Sequence, residues 1–393
     1  MSPLHNSFWI YVNKVKLHNY QCIMYTQKLS FRDKLAKNYI NAVGWRTDRK
    51  MLLIESDDWG TVRMASRQVY ETLLSETGMA GCFFDKYDAL ESAEDLEMLF
   101  DVLSSVKDMN GHSAIMSPFS VVANPNFEAI EGYDFSEYVY ETILETYKRN
   151  RDTENSNNVA KEGIRSGVWF PQFHGREHLN AKRWLKALQV NGLSRKAFVY
   201  RSLHSDCMPA DIDYFNAFDI DTTEDIPQLK EVIVDGLSLF ERIWGYRASA
   251  FCAPCGVIRT ETVAEASRNG IKLSAGQFFA PDGMGGYNKI DKKWGEIGSD
   301  EMRFYRRNCK FEPAKDHNID WVDRCLSEIN IAFRWGKPAN IDSHRVNYIG
   351  SIYPENRDYT LKEFNRLLKE IVKRWPDVEF VNSEKLYEEM TKE

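Results

Sequence analysis

The chain has 393 residues, and 51 Lys plus Arg against 58 Asp plus Glu leave a formal net charge of −7. That balance excludes a generic nucleic-acid binder, which needs a basic face, and 43% hydrophobic with 28% charged residues excludes wholesale disorder. The length suits two or three domains, or one α/β barrel with insertions.

Met1 to Tyr25 carries a short apolar piece, Phe8 to Val12, without a basic n-region and broken by Asn13 and Lys14. It reads as a poor signal peptide, and no stretch approaches the 18 apolar residues of a membrane span. Seven scattered cysteines make no disulfide framework, so a reducing, cytoplasmic location is expected. Residues 1–44 read as an N-terminal extension and a helix over Phe31–Val43, with Ser30 as N-cap and Gly44 as stop. Lys50 to Ile54 is an apolar run, read as a buried strand that delivers Glu55-Ser56-Asp57-Asp58-Trp59-Gly60 at its C-terminal end. Helical patterns follow at about 65–76 and 91–107, a second apolar run spans Ser113 to Ala123, and a helix is expected at about 135–149. Arg149 to Gly163 is polar and reads as an exposed loop.

Ile164 to Phe173 reads as a strand ending at His174, followed by a helix containing Trp184, Leu185 and Leu188. Further helices are expected at 226–243, Glu261–Asn269, Asn318–Phe333 and Tyr359–Arg374. Strands are expected at Ser249–Phe251, Ile271–Phe279, Ala339–Asp342 and Val378–Val381. Strands alternating with helices argue for a parallel sheet, with polar residues just past the strands, where such enzymes place their chemistry.

Four strand-end features stand out. Asp57 and Asp58 are adjacent carboxylates, which repel unless a cation neutralises them; a simple acidic turn is the bland alternative. His174 and His178 are spaced i, i+4, so a helical turn would set both imidazoles on one face to chelate a metal. Phe251-Cys252-Ala253-Pro254-Cys255-Gly256 is a turn that can aim a backbone N–H at a substrate oxygen. Asp342-Ser343-His344-Arg345 puts a histidine at a late strand end.

Taken in order, these features resemble the polysaccharide deacetylase family, which includes chitin, peptidoglycan and nodulation-factor deacetylases. The resemblance spans about residues 48–390 and implies a distorted (β/α) barrel with about seven parallel strands, here with insertions at about 62–112 and 145–163. It implies Asp57 as catalytic base and Asp58, His174 and His178 as ligands of a divalent metal. Zinc is the first expectation, with nickel, cobalt or iron also suited. It implies His344 as general acid, and Pro254-Cys255 at the place of a Pro-Tyr pair whose N–H holds an oxyanion. The implied reaction is hydrolytic removal of an acetyl group from an N- or O-acetylated sugar or glycan, for which a charge of −7 makes a highly anionic glycan a less natural substrate. Trp59, Trp169, Phe170 and Phe173 are candidate sugar-stacking rings, with core packing as the competing role for each.

The chain departs from the family pattern. Glu55-Ser56 replaces a Thr-Phe, Trp59 precedes Gly60, and the Arg and Tyr of an Arg-x-Pro-Tyr turn are absent; Arg247 or Arg165 are candidate substitutes for that Arg. Rival readings are a glycoside hydrolase drawing on Asp225 or Asp282 as a second acid, a glycan-binding barrel without activity, and redox chemistry at Cys252 and Cys255, which requires a depressed thiol pKa.

Overall fold

A computed structural model describes residues 28–77, 82–190, 192–204 and 214–392. The Met1 to Tyr25 segment lies outside them. Ser30 caps the first helix, Phe31–Ala42, in a reciprocal capping box with Asp33. The strands, in chain order, are β1 (Lys50–Trp59), β2 (Met116–Val121), β3 (Ala123–Pro125), β4 (Tyr140–Thr142), β5 (Gln172–Gly175), β6 (Ala250–Phe251), β7 (Leu273–Ala275), β8 (Gln277–Pro281), β9 (Tyr287–Asp291), β10 (Arg303–Tyr305), β11 (Cys309–Lys310), β12 (Ala339–His344) and β13 (Val378–Phe380).

Nine of these build one parallel sheet in the order β10-β7-β6-β5-β2-β1-β12-β11, with β13 beside the start of β1. Its two edge strands are consecutive in the chain, joined only by Arg306, Arg307 and Asn308. The step from Tyr305 to Cys309 spans at most about 14 Å, so the sheet must curl until its edges nearly meet. The result is a distorted (β/α) barrel, open along one seam.

Alternation along the strands sorts the core into two layers. Met51, Leu53, Phe119, Ala250, Cys252, Leu273 and Tyr305 form one cluster. Leu52, Ile54, Met116, Val121, Phe173, Phe251 and Ile341 belong to the other, under helices such as Ile226–Trp244, Trp321–Arg334 and Pro354–Arg374.

Four local readings are corrected. The strand expected over Ile164–Phe173 shrinks to β5, because Ile164 and Arg165 still belong to the helix Ser156–Arg165. The polar stretch 149–163 holds a helix, Ser156–Arg165, not an exposed loop. Val159, Ala160 and Gly163 form its buried face, and a Cβ on Gly163 would come within 2.5 Å of the Phe100 ring, so only glycine permits the approach. The expected helix over 135–149 is instead β4 and a five-residue helix, Ile143–Tyr147, capped by Thr142. The expected strand 271–279 divides at Gly276 into β7 and β8, which leaves the sheet to pair antiparallel with β9.

Candidate metal centre

β1 and β12 run parallel with Glu55 opposite Asp342 and Asp57 opposite His344. Residues opposite one another in a parallel pair share a face, so these four side chains line one wall. Strict alternation would send Asp58 to the other side. It does not, because Asp58 takes a left-handed backbone (φ 75°) and the register between β1 and β2 shifts there. A left-handed non-glycine residue is costly, and such strain collects at functional sites. The kink lets two consecutive carboxylates serve one centre, Asp57 toward β12 and Asp58 toward β5.

Asp58 Oδ1 lies 3.4 Å from His174 Nε2 and 3.2 Å from His178 Nε2. The histidine pair is not on a helical turn, as its spacing suggested. His174 ends β5, Gly175 follows with φ 124°, and a bend returns His178 to the same place. A Cβ on Gly175 would crowd the Glu177 carbonyl at 3.3 Å in a backbone conformation that side chains avoid.

His174 Nδ1 donates to the Cys252 carbonyl at 2.7 Å, which leaves the Nε2 lone pair facing Asp58. That Nε2 is buried and has no hydrogen-bond partner. Burial lowers the His178 imidazole below its ordinary pKa, against the pull of Asp58. Burial works to raise Asp58, but its histidine neighbours, His178 foremost, outweigh it and hold the carboxyl well below its usual range. Two imidazoles and a carboxylate are a donor set that suits a divalent metal. Bonds of about 2.1 Å at tetrahedral angles place ligand atoms about 3.4 Å apart; both carboxylate–imidazole spacings match that, and the three ligand atoms lie within 4.8 Å of one another.

Asp57, His174 and Cys252 form an overlapping group. Burial pushes the Cys252 thiol well up, with Asp57 adding to the rise. A thiol held up in this way is not the depressed thiol that the redox reading of Cys252 requires.

Asp57 is gripped from the seam. Arg307 Nη1 and Nη2 donate to its two oxygens at 2.7 and 2.9 Å. The same guanidinium lies 3.1 Å from Glu55 and 2.9 Å from Asp342. It supplies the cation that sequence reasoning missed; the candidates Arg247 and Arg165 are exposed and pair with Glu241 and Glu162 instead. His344 stands 4.0 Å from Asp57, and its Nδ1 is 2.5 Å from Glu312 Oε1. Burial by itself would lower His344, but the Glu312 carboxylate overrides it and pushes the imidazole up to about 9. Lys310 bridges Asp342 and Glu312.

The Pro254-Cys255 turn follows β6. Pro254 is buried, whereas Cys255 is exposed with φ 54°, its Sγ 3.7 Å from the carbonyl of Phe215, whose ring stands 6.0 Å from that of His178. The proposed sugar-stacking role of Trp59, Trp169 and Phe173 is corrected: all three belong to the cluster under the helices. The kink at Asp58 turns Trp59 outward, where its Nε1 donates to Ser56 and its ring meets Trp169 edge-on at 4.7 Å. Phe173 alternates away from His174, and half-buried Phe170 stacks on Tyr246. Asp225 is tied to Lys182, and Asp282 accepts backbone N–H groups of its own turn. Neither is bonded to Asp57 or Asp58 among the described residues.

No family model matches the chain, and no curated protein matches it by sequence. Similar solved structures include one described as a polysaccharide deacetylase from Mycobacterium smegmatis, at 9% identity and a TM-score of 0.43, covering 89% of this chain and 93% of that one. An allantoinase is similar at 10% identity and TM-score 0.42, covering 93% and 97%. A 4-alpha-glucanotransferase from Thermococcus litoralis is similar at 9% and 0.44, covering 87% of this chain and 41% of its own.

Proposed function

We propose that this protein is a metal-dependent hydrolase that removes acetyl groups from an N- or O-acetylated sugar or glycan. The observation that carries this is the convergence of Asp58, His174 and His178 beside an Arg-held Asp57 and a Glu-held His344. When bound, a divalent ion such as Zn²⁺ supplies Lewis acidity to this nitrogen and oxygen donor set, which also suits Ni²⁺, Co²⁺ or Fe²⁺. Asp57, oriented by the two hydrogen bonds of Arg307, takes the proton of the attacking water. His344, kept protonated by Glu312, delivers a proton to the departing sugar nitrogen or oxygen. The backbone N–H of Cys255 holds the developing oxyanion. Among the described residues no helix is long and apolar enough to cross a membrane.

The test is acetate release from acetylated sugars, read together with metal content. The full-length protein should bind one divalent ion and release acetate, and His178→Ala should lose both. Metal-loaded protein that releases no acetate from any acetylated sugar would refute the reading.

The His344–Glu312 pair also sets a pH limit. With His344 at about 9, the proton-donating form persists through neutrality, and the rate falls as pH rises through about 9. Glu312→Gln removes the charge that holds the proton, so the alkaline limb of kcat should move down by at least about one pH unit. An unmoved limb would show that His344 is not the acid.

A further inference from the structure

Arg63 is the charged residue of this site left without a task. Its side chain is 5% exposed, with Nη2 3.9 Å from Asp58 Oδ2 and Nε 3.6 Å from Asp88 Oδ2. Neither is a hydrogen-bond distance, and both Nε and Nη1 are buried with no hydrogen-bond partner. An arginine present only to neutralise acids would turn its donors onto them. Arg345 does so next door, with two 3.0 Å bonds to Asp88. Arg63 is instead clamped between rings, its guanidinium carbon 4.3 Å from the Phe215 centroid and 5.6 Å from that of Phe84. Those rings flank the centre on both sides. Phe215 packs against His178 at 6.0 Å, and Phe84 meets His344 edge-on at 5.3 Å.

Buried guanidinium donors are expensive to leave unmade and strong when they meet an anion. We propose that Arg63 binds a small oxyanion, a carboxylate, at the edge of the metal centre. The favoured occupant is the carboxylate set free from the acyl group. The neighbouring acids Asp57, Asp58, Asp88 and Glu312, with a net charge of −7, suit a singly charged ion better than an acidic glycan. The source of the carboxylate rests on the deacetylation reading; the existence of the anion site does not.

The test is titration of the full-length, metal-carrying protein with sodium acetate and, in parallel, sodium glucuronate at constant ionic strength. Calorimetry gives the affinities, and the side-chain resonances of ¹⁵N-labelled arginine report the contact directly. Arg63→Lys keeps the positive charge facing Asp58 and Asp88 but lacks Nη1. It should bind acetate about tenfold more weakly or worse, with unchanged metal content. Equal affinity in a folded Arg63→Lys protein would overturn the proposal. If that variant does not fold, the wild-type protein decides. One arginine Nε resonance should shift with acetate and not with chloride, and no shift would equally overturn it. Tighter, Arg63-dependent binding of glucuronate would refute the acyl source. Arg63-dependent acetate binding without deacetylation of any sugar would sink the functional reading and leave the anion site standing.

Discussion

Asp57→Asn should abolish acetate release while the protein keeps its metal and its fold. The amide is isosteric with the carboxylate but cannot accept the water's proton. Loss of a positioned general base costs about 10²- to 10⁴-fold, and here the loss falls on kcat. Asp57 is not among the three residues grouped as Asp58, His174 and His178, so metal content should stay at the wild-type value. Metal analysis beside steady-state kinetics separates the two carboxylates: Asp58→Asn should lose the ion, Asp57→Asn only the rate. An Asp57→Asn protein within a few-fold of the wild-type rate would remove Asp57 from the mechanism.

Arg307→Met should have the largest effect on stability. Arg307 is the shared cation of Glu55, Asp57 and Asp342 at the barrel seam. Removing one partner of a buried ionic group costs about 3–5 kcal/mol, because the remaining charges stay buried. The sign of its pH dependence comes from the acids left behind. Burial already raises Glu55 to about 7, against the opposing pull of Arg307. Without Arg307 the folded-state pKa of Glu55 rises further above its unfolded value, and Asp342 loses the charge that holds it below the usual carboxylate range. Stability present at low pH is then lost as pH rises through the folded values. Urea denaturation should show a larger deficit at pH 8 than at pH 5, and a deficit independent of pH would refute the role. Activity should fall as well, since Asp57 loses both hydrogen bonds that orient it.

The residues legible in sequence were those that end readable strands. Met51–Ile54 announces β1, and Asp57, Asp58, His174 and His344 come after apolar runs long enough to recognise. Arg307, Lys310 and Glu312 escaped notice because they lie on and beside strands of three and two residues, too short for a periodic signal. Arg307 meets Asp57 across 250 positions of sequence, a contact that only the curl of the sheet creates. The one local hint was charged residues interleaved with apolar ones from Phe304 to Phe311. Trp59 is misplaced by periodicity for a related reason: a single left-handed residue at position 58 reverses the facing of Trp59 after it, and periodicity assumes regular backbone. The polar helix Ser156–Arg165 hid its narrow buried face of Val159, Ala160 and Gly163 among asparagines and serines.

The seam also bears on how the protein is inactivated. In many enzymes the loops that carry the chemistry open well before the scaffold melts. Here the supports of Asp57 and His344 come from 307–312, a segment that joins the two edges of the main sheet and includes buried Asn308, Cys309 and Phe311. Pulling Arg307 or Glu312 away means parting the barrel. Catalytic lifetime on warming should therefore track the unfolding of the whole sheet, with no earlier, reversible stage in which an intact scaffold carries a disarmed site.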